Sequence, residues 1–191
     1  MKLKSFTIII TTLLAVRLAT QVAPRYEDNR ATTYDRSEWR HWIDADSDGQ
    51  DARQEVLISE SIVPVKFNNR GKVVSGGWTC LFTSRILTNP RLIDIDHFVP
   101  LAEVHRSGGS SWTLEKKQFY ANDLSSPDTL IAVSAGSNRS KSDKDPARWL
   151  PPNMAYHCEY VRTWIRIKNR WSLSMDSKEK DAINRVLQNC P

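Results

Sequence analysis

The chain has 191 residues, 26% of them charged and 40% hydrophobic, enough for one well-cored soluble domain and too few for two comfortable ones. No internal repeat or low-complexity tract interrupts it, and its formal charge is a modest +5. A uniformly polycationic protein is excluded, so any attraction to a polyanion has to come from local clusters.

Lys2 and Lys4 precede an apolar run from Phe6 to Val16, with Ala19 and Ala23 behind it. This is the layout of a secretory signal peptide over residues 1–23, cleaved near residues 19–24. The run is short for a bilayer span; an uncleaved N-terminal anchor is the other reading. Removal of the leader takes away Lys2, Lys4 and Arg17 and lowers the formal charge from +5 to +2. Residues 24–37 are polar and irregular and read as a linker, followed by a single domain over 38–191.

Ser37 is an N-capping residue type, and Trp39, Trp42 and Ile43 follow at near-helical spacing, which predicts a short amphipathic helix. It runs into the acidic stretch Asp44 to Asp51, after which Arg53 to Ser61 continues as helix. Ile62 to Phe67 alternates with Val73 and Val74 across Asn68-Asn69-Arg70-Gly71, a hairpin signal. Gly76, Gly77 and the tract Thr83 to Pro90 punctuate the chain. Leu92 to Val99, apolar and β-branched between Pro90 and Pro100, reads as a strand. Leu101 to His105 is ambiguous, Ser107 to Ser111 is a loop, and Trp112 to Ala121 reads as a helix. A second strand, Thr129 to Val133, follows the turn Ser125 to Asp128. Ala135 to Lys144 then reads as a short helix stopped by Pro146.

Tyr160, Val161, Trp164, Ile165, Lys168 and Trp171 form the stripe of a further helix. Asp176 and Glu179 open the last one in capping-box arrangement. The two helices make an antiparallel hairpin of equal arms, whose far ends carry Cys158 and Cys190. These two are the expected disulfide. Cys80 is then a buried thiol or half of an intermolecular bridge.

The chemistry concentrates in Asp94-Ile-Asp96-His97 and, forty positions on, in the ten residues SNRSKSDKDP from Ser137 to Pro146. Cutting a phosphodiester needs an oriented water, a base for its proton and a cation for the charge on phosphate. His97 suits the base, since an ordinary imidazole is largely neutral at physiological pH. Asp96 and the side-chain carbonyl of Asn138 suit a hard cation such as Mg2+. Arg139, Lys141 and Lys144 suit the flanking phosphates, the lysines on the same helical face as Asn138. One difficulty is geometric: neighbours on a regular strand point to opposite faces, so Asp96 and His97 share a target only if the strand bends or ends between them. Arg162, Arg166, Lys168 and Arg170 form a second basic cluster, readable as a polyanion surface or as a solvated helix face.

IDHFVPLAE together with DTLIAVSAGSNRSKSDKDPARWLP resembles the HNH endonucleases, and within them the branch that holds the C-terminal domain of GmrSD-type restriction enzymes and small secreted HNH proteins. The specific motifs cover residues 90–152, and a looser likeness runs from Tyr34 to Cys190. The resemblance implies an α+β fold with a ββα-metal core over 90–152, flanked by an N-terminal helix and hairpin region and a C-terminal helical hairpin. It implies His97 as general base, Asp96 and Asn138 as metal ligands, and lysines at 141 and 144 as part of the pattern. Many HNH proteins carry asparagine where this chain has Asp128, to hold the loop that orients the base; an aspartate accepts the same hydrogen bonds but cannot donate. Glu103 and His105 read as packing or helix-surface residues.

The acidic stretch matches a second formula. Asp44, Asp46, Asp48, Gly49 and Glu55 satisfy the spacing of a calcium-binding EF-hand loop, although Asp51 stands where such a loop wants an apolar residue. It reads either as a structural Ca2+ site or as a solvated loop. Asn138-Arg139-Ser140 is also a glycosylation sequon, and a glycan there would block metal binding. The expectation is a secreted, monomeric, metal-dependent nuclease on Mg2+ or Mn2+, acting on DNA or RNA with low sequence specificity and free of membranes once mature. The competing class is a catalytically silent, calcium-stabilised polyanion-binding module.

Overall fold

A computed structural model describes residues 33–191; the expected leader and residues 24–32 of the expected linker lie outside them. The first element is a 3-10 turn at Arg36–Glu38, then α1 (Ala52–Ser59). Two small hairpins follow, β1 (Lys66–Phe67) with β2 (Val73–Ser75) and β3 (Trp78–Cys80) with β4 (Arg85–Leu87). Next come β5 (Ile93–His97), α2 (Leu101–Arg106) and α3 (Leu114–Ala121). The chain finishes with β6 (Leu130–Ser134), α4 (Ala135–Lys141), α5 (His157–Arg170) and α6 (Ser177–Leu187). The fold is α+β, with three two-stranded antiparallel ladders among the described residues.

β5, β6 and α4 form a ββα unit, with α2 and α3 carried in the connection between its strands. β5 and β6 run antiparallel, Ile93 opposite Ser134 and His97 opposite Leu130. Alternation divides the ladder between two cores. Ile93, Ile95, Leu130 and Ala132 pack with Ala52, Val56, Leu57 and Trp78. Ile131 and Val133 face the larger core, where Phe82, Tyr160 and Trp164 are fully buried. Asp94 and Asp96, register partners of Val133 and Ile131, share that second face with α4.

Capping explains where the helices begin. Asp51 accepts from Gln54 N at the start of α1, Thr113 from Lys116 N at α3, and Ser134 from Ser137 N at α4; each satisfies an otherwise orphaned amide. Asp176 and Glu179 close a reciprocal capping box on α6. The α5/α6 hairpin has arms of 14 and 11 residues, α6 shorter than expected, and its far ends are joined by the expected Cys158–Cys190 disulfide, Cα–Cα 5.7 Å. Cys80 is a buried free thiol that accepts from Ser134 N at 3.3 Å.

Three expectations are corrected. The segment after Ser37 is not an amphipathic helix: Asp35, not Ser37, caps a single 3-10 turn, and Trp42 sits at φ 59°, a backbone conformation that ends helical propagation. β4 falls in the tract read as punctuation and β3 in the unassigned residues before it, because three-residue strands with a turn at Ser84 (φ 56°) hold too little alternation to register. α4 stops at Lys141, before Pro146, because Ser142 takes φ 53°.

Candidate active site

His97 ends β5, almost entirely buried. Its ring lies between those of Trp42 (centroids 5.6 Å apart, planes 27°) and Tyr120 (6.3 Å, 21°), with His41 edge-on at 6.1 Å. Nε2 is 2.9 Å from the carbonyl oxygen of Ala121. A carbonyl only accepts, so Nε2 carries the hydrogen and Nδ1 keeps the lone pair. Burial pushes the imidazole down to about 3, with the Ala121 hydrogen bond opposing it. The ring is neutral and held in one tautomer.

Ala121 is the last residue of α3, and the residues after it fix its carbonyl. Asn122 Nδ2 donates to Arg40 O and Gln118 O, both at 2.8 Å, while its Oδ1 accepts from Ile43 N at 3.1 Å. Asp123, buried, accepts from Ser125 N, Ser125 Oγ and Thr129 Oγ1. Asp128, the sequence candidate for this loop-holding role, instead gives its carboxylate to Arg166, at 2.8 Å from Nε and 3.2 Å from Nη2. Sequence reasoning missed Asn122 and Asp123. The signal was an Asn-Asp pair at a helix end, a combination that commonly bonds to nearby backbone.

Asp96 is buried beside Lys141, whose ammonium is wholly inaccessible. Lys141 Nζ donates to Asp96 Oδ1 at 2.9 Å and to His97 O at 3.0 Å. It also lies 2.7 Å from Asp96 Oδ2, an ion contact without hydrogen-bond direction, and Oδ2 accepts no hydrogen bond. Burial raises the Asp96 carboxyl and lowers the Lys141 ammonium, and each charge offsets the cost for the other. Lys141 is thus a counter-ion inside the fold and cannot meet phosphates at the surface. Lys144 lies beyond the end of α4, where its Nζ donates to Ser140 O at 2.6 Å. On the turn before Lys141, Asn138 Nδ2 donates to Asp94 Oδ2 at 3.1 Å. That turns the amide so that Oδ1 is its remaining acceptor.

Ile95, Asp96, His97, Asn138 and Arg139 border one cleft of about 370 Å³. The expected bend between Asp96 and His97 is absent: β5 keeps its pairing through His97, and Phe98 N still donates to Thr129 O at 3.0 Å. Among the described residues β5 pairs only with β6, and Ile95 and His97 from one face and Asp96 from the other all line the cleft.

The second basic cluster is dispersed. Lys168 is buried between Glu103 (2.8 Å) and Glu179 (3.2 Å), Arg166 is taken by Asp128 and Glu159, and Arg162 donates to Pro191 O. Glu103 also holds Arg106, which reaches Asp143 on the cleft at 2.8 Å. His105 packs edge-on against Tyr34. Asp44, Asp46 and Asp48 are exposed with carboxylate oxygens within 4.8 Å of one another, and those carboxylates accept from the amides of Asp48, Gly49 and Gln50. Burial raises the Glu55 carboxyl, and repulsion from these three aspartates adds to it.

Residues 65–186 match the family described as GmrSD restriction endonucleases, C-terminal domain. Over 157 residues the chain is 36% identical to an uncharacterized secreted protein of Arthroderma benhamiae, covering 82% of this chain and 76% of that protein. No solved structure matches it.

Proposed function

The chain belongs to the family of the C-terminal domain of GmrSD restriction endonucleases, and from that premise we propose that it is a secreted HNH-type endonuclease hydrolysing phosphodiester bonds of DNA or RNA with low sequence selectivity. The observation that carries the reading is an imidazole locked in one tautomer by Ala121 O, on the cleft that Asp96 and Asn138 also border. Export is supported by the secreted relative and by the Cys158–Cys190 bridge, a bond that persists in oxidising compartments. No helix among the described residues is long and apolar enough to cross a membrane.

HNH chemistry calls for a divalent metal, Mg2+ or Mn2+, and the donors fit one. Asp96 Oδ2 accepts no hydrogen bond, although the Lys141 ammonium lies 2.7 Å from it and would have to share the carboxylate with a bound cation, and Asn138 has its amide nitrogen spent on Asp94. Both oxygens are the hard donors such ions take. When bound, the metal neutralises charge gathering on the phosphate and on the departing oxygen.

The remaining work falls to side chains of the cleft. His97 Nδ1 takes a proton from the water that attacks phosphorus. The Nε2 hydrogen bond prevents the ring from presenting an N–H to that water, and burial keeps the ring deprotonated. Lys141 touches no substrate: it holds Asp96 ionised inside the fold. Arg139, exposed on α4, meets a phosphate oxygen with its guanidinium.

The test is a cleavage assay on plasmid, linear DNA and RNA across a divalent-metal panel, with His97→Ala run beside the wild type. Cleavage that needs metal and is lost in a folded His97→Ala protein supports the reading. Full activity in that variant refutes it. Binding without cutting under every metal would leave the scaffold a polyanion-binding module.

A further inference from the structure

The family match begins at residue 65, yet one wall of the cleft comes from residues well before it. Tyr34, Arg36 and Trp42 border the same space as Asp96, His97 and Arg139. We propose that the strap formed by residues 34–42 is a phosphate-binding part of this site, Arg36 from the strap and Arg139 from α4 gripping the backbone of the nucleic-acid strand that His97 addresses. The inference rests on the nuclease reading and adds to it a binding residue outside the matched segment.

The strap is built as a rigid wall. Trp39 is fully buried, edge-on to Tyr120 at 6.1 Å and beside Trp112 at 6.0 Å. Glu38 pairs with the buried Lys117 at 2.5 Å, and that ammonium lies 5.8 Å from the Trp39 ring. Asn122 binds Arg40 O and Ile43 N, one at each side of Trp42. Trp42 in turn lies against His97. The helix end that orients the base therefore also fixes the strap, and the two cannot drift apart independently.

Arg36 stands on this wall, in the 3-10 turn that Asp35 caps. Its Nη2 donates to His41 Nε2 at 3.4 Å; His41 Nδ1 is spent on Trp39 O at 2.9 Å, which leaves Nε2 as the acceptor. The His41 ring is the one edge-on to His97, so the guanidinium stands one side chain away from the base. A guanidinium carries five N–H donors, and the contacts with His41 and the neighbouring Tyr34 hydroxyl use at most two of them.

Charge accounting in the cleft favours a polyanion. Its two aspartates are committed, Asp96 to Lys141 at 2.7 Å and Asp143 to Arg106 at 2.8 Å. Among the described residues neither Arg36 nor Arg139 is ion-paired to a carboxylate, and both are exposed. Two planar forks on separate walls suit successive phosphates of one strand.

The experiment measures binding without cleavage. Wild type, Arg36→Gln, Arg36→Lys and Arg139→Gln are titrated with fluorescein-labelled single-stranded DNA and RNA in EDTA over a range of salt concentrations. Each phosphate contact contributes about 0.7 to the slope of log affinity on log salt for single strands. Arg36→Gln and Arg139→Gln should each lower the slope by about that amount, and Arg36→Lys should retain it. Arg85→Gln, an exposed residue of β4 that does not line the cleft, should match wild type. An Arg36→Gln slope equal to wild type overturns the strap proposal while leaving the nuclease reading standing. Failure of wild type to bind either strand also overturns the strap proposal, and the metal-dependent cleavage assay then decides the nuclease reading separately.

Discussion

Glu60 offers a sharp test of the packing around the ββα unit. It caps the C-terminus of α1, and its carboxylate accepts from Ala132 N on β6 at 2.9 Å. Burial pushes its carboxyl up to about 7, against an ordinary 4.5, with the Ala132 hydrogen bond opposing the rise. Below about pH 4.5 the group is protonated in both folded and unfolded chains. Between there and about 7 the folded protein holds a proton that the unfolded chain has released, so stability falls as pH rises through this window. At about 1.4 kcal/mol for each pH unit, the loss reaches about 3 kcal/mol. Glu60→Gln keeps a carbonyl oxygen for Ala132 N and cannot ionise. Urea denaturation followed by tryptophan fluorescence should therefore show the variant and wild type close near pH 4, with the variant ahead by about 3 kcal/mol near pH 8. Parallel stability curves across that range, or a variant less stable than wild type near pH 8, would refute the reasoning.

Lys141→Met removes the only cation against a buried Asp96 carboxylate among the described residues. It should cost about 3–5 kcal/mol at neutral pH, measured by chemical denaturation, with the deficit shrinking in acid as Asp96 takes up a proton. Asn122→Ala deletes the bonds to Arg40 O, Gln118 O and Ile43 N, about 1 kcal/mol each. Its cleavage kinetics should show kcat falling more than KM rises, because Ala121 loses its fixed hold on His97.

What was legible in the sequence was local. The two strands of the ββα unit could be read because Ile93, Ile95, Ile131 and Val133 are apolar and bounded by proline or turn residues. The C-terminal hairpin followed from arms of similar length and a capping box. What stayed hidden depended on partners distant in sequence. Lys168 falls on the apolar stripe of α5 and also reads as one of a cluster of four cations, and only the arrival of Glu103 and Glu179 decides for the buried ion. Lys141 and Lys144 shared a face only if the helix continued, and a positive φ at Ser142 stops it between them. Asn122 looked like an ordinary helix end, since two of its three partners lie about eighty positions earlier. The difficulty over Asp96 and His97 arose from supposing that a shared site needs a bend; the two side chains leave opposite faces of an unbent β5 and still both line the cleft.

The atom that orients His97 belongs to the main chain, which every amino acid supplies. Replacing Ala121 by glycine leaves the acceptor in place, so a survey of side-chain substitutions would meet the helper only at second hand, through Asn122. The site's vulnerability therefore lies in chain length and path. A one-residue insertion or deletion between Leu114 and Thr129 would rotate or displace that carbonyl while leaving every functional side chain intact, and the lesion would show up as a change in loop length with no catalytic residue altered.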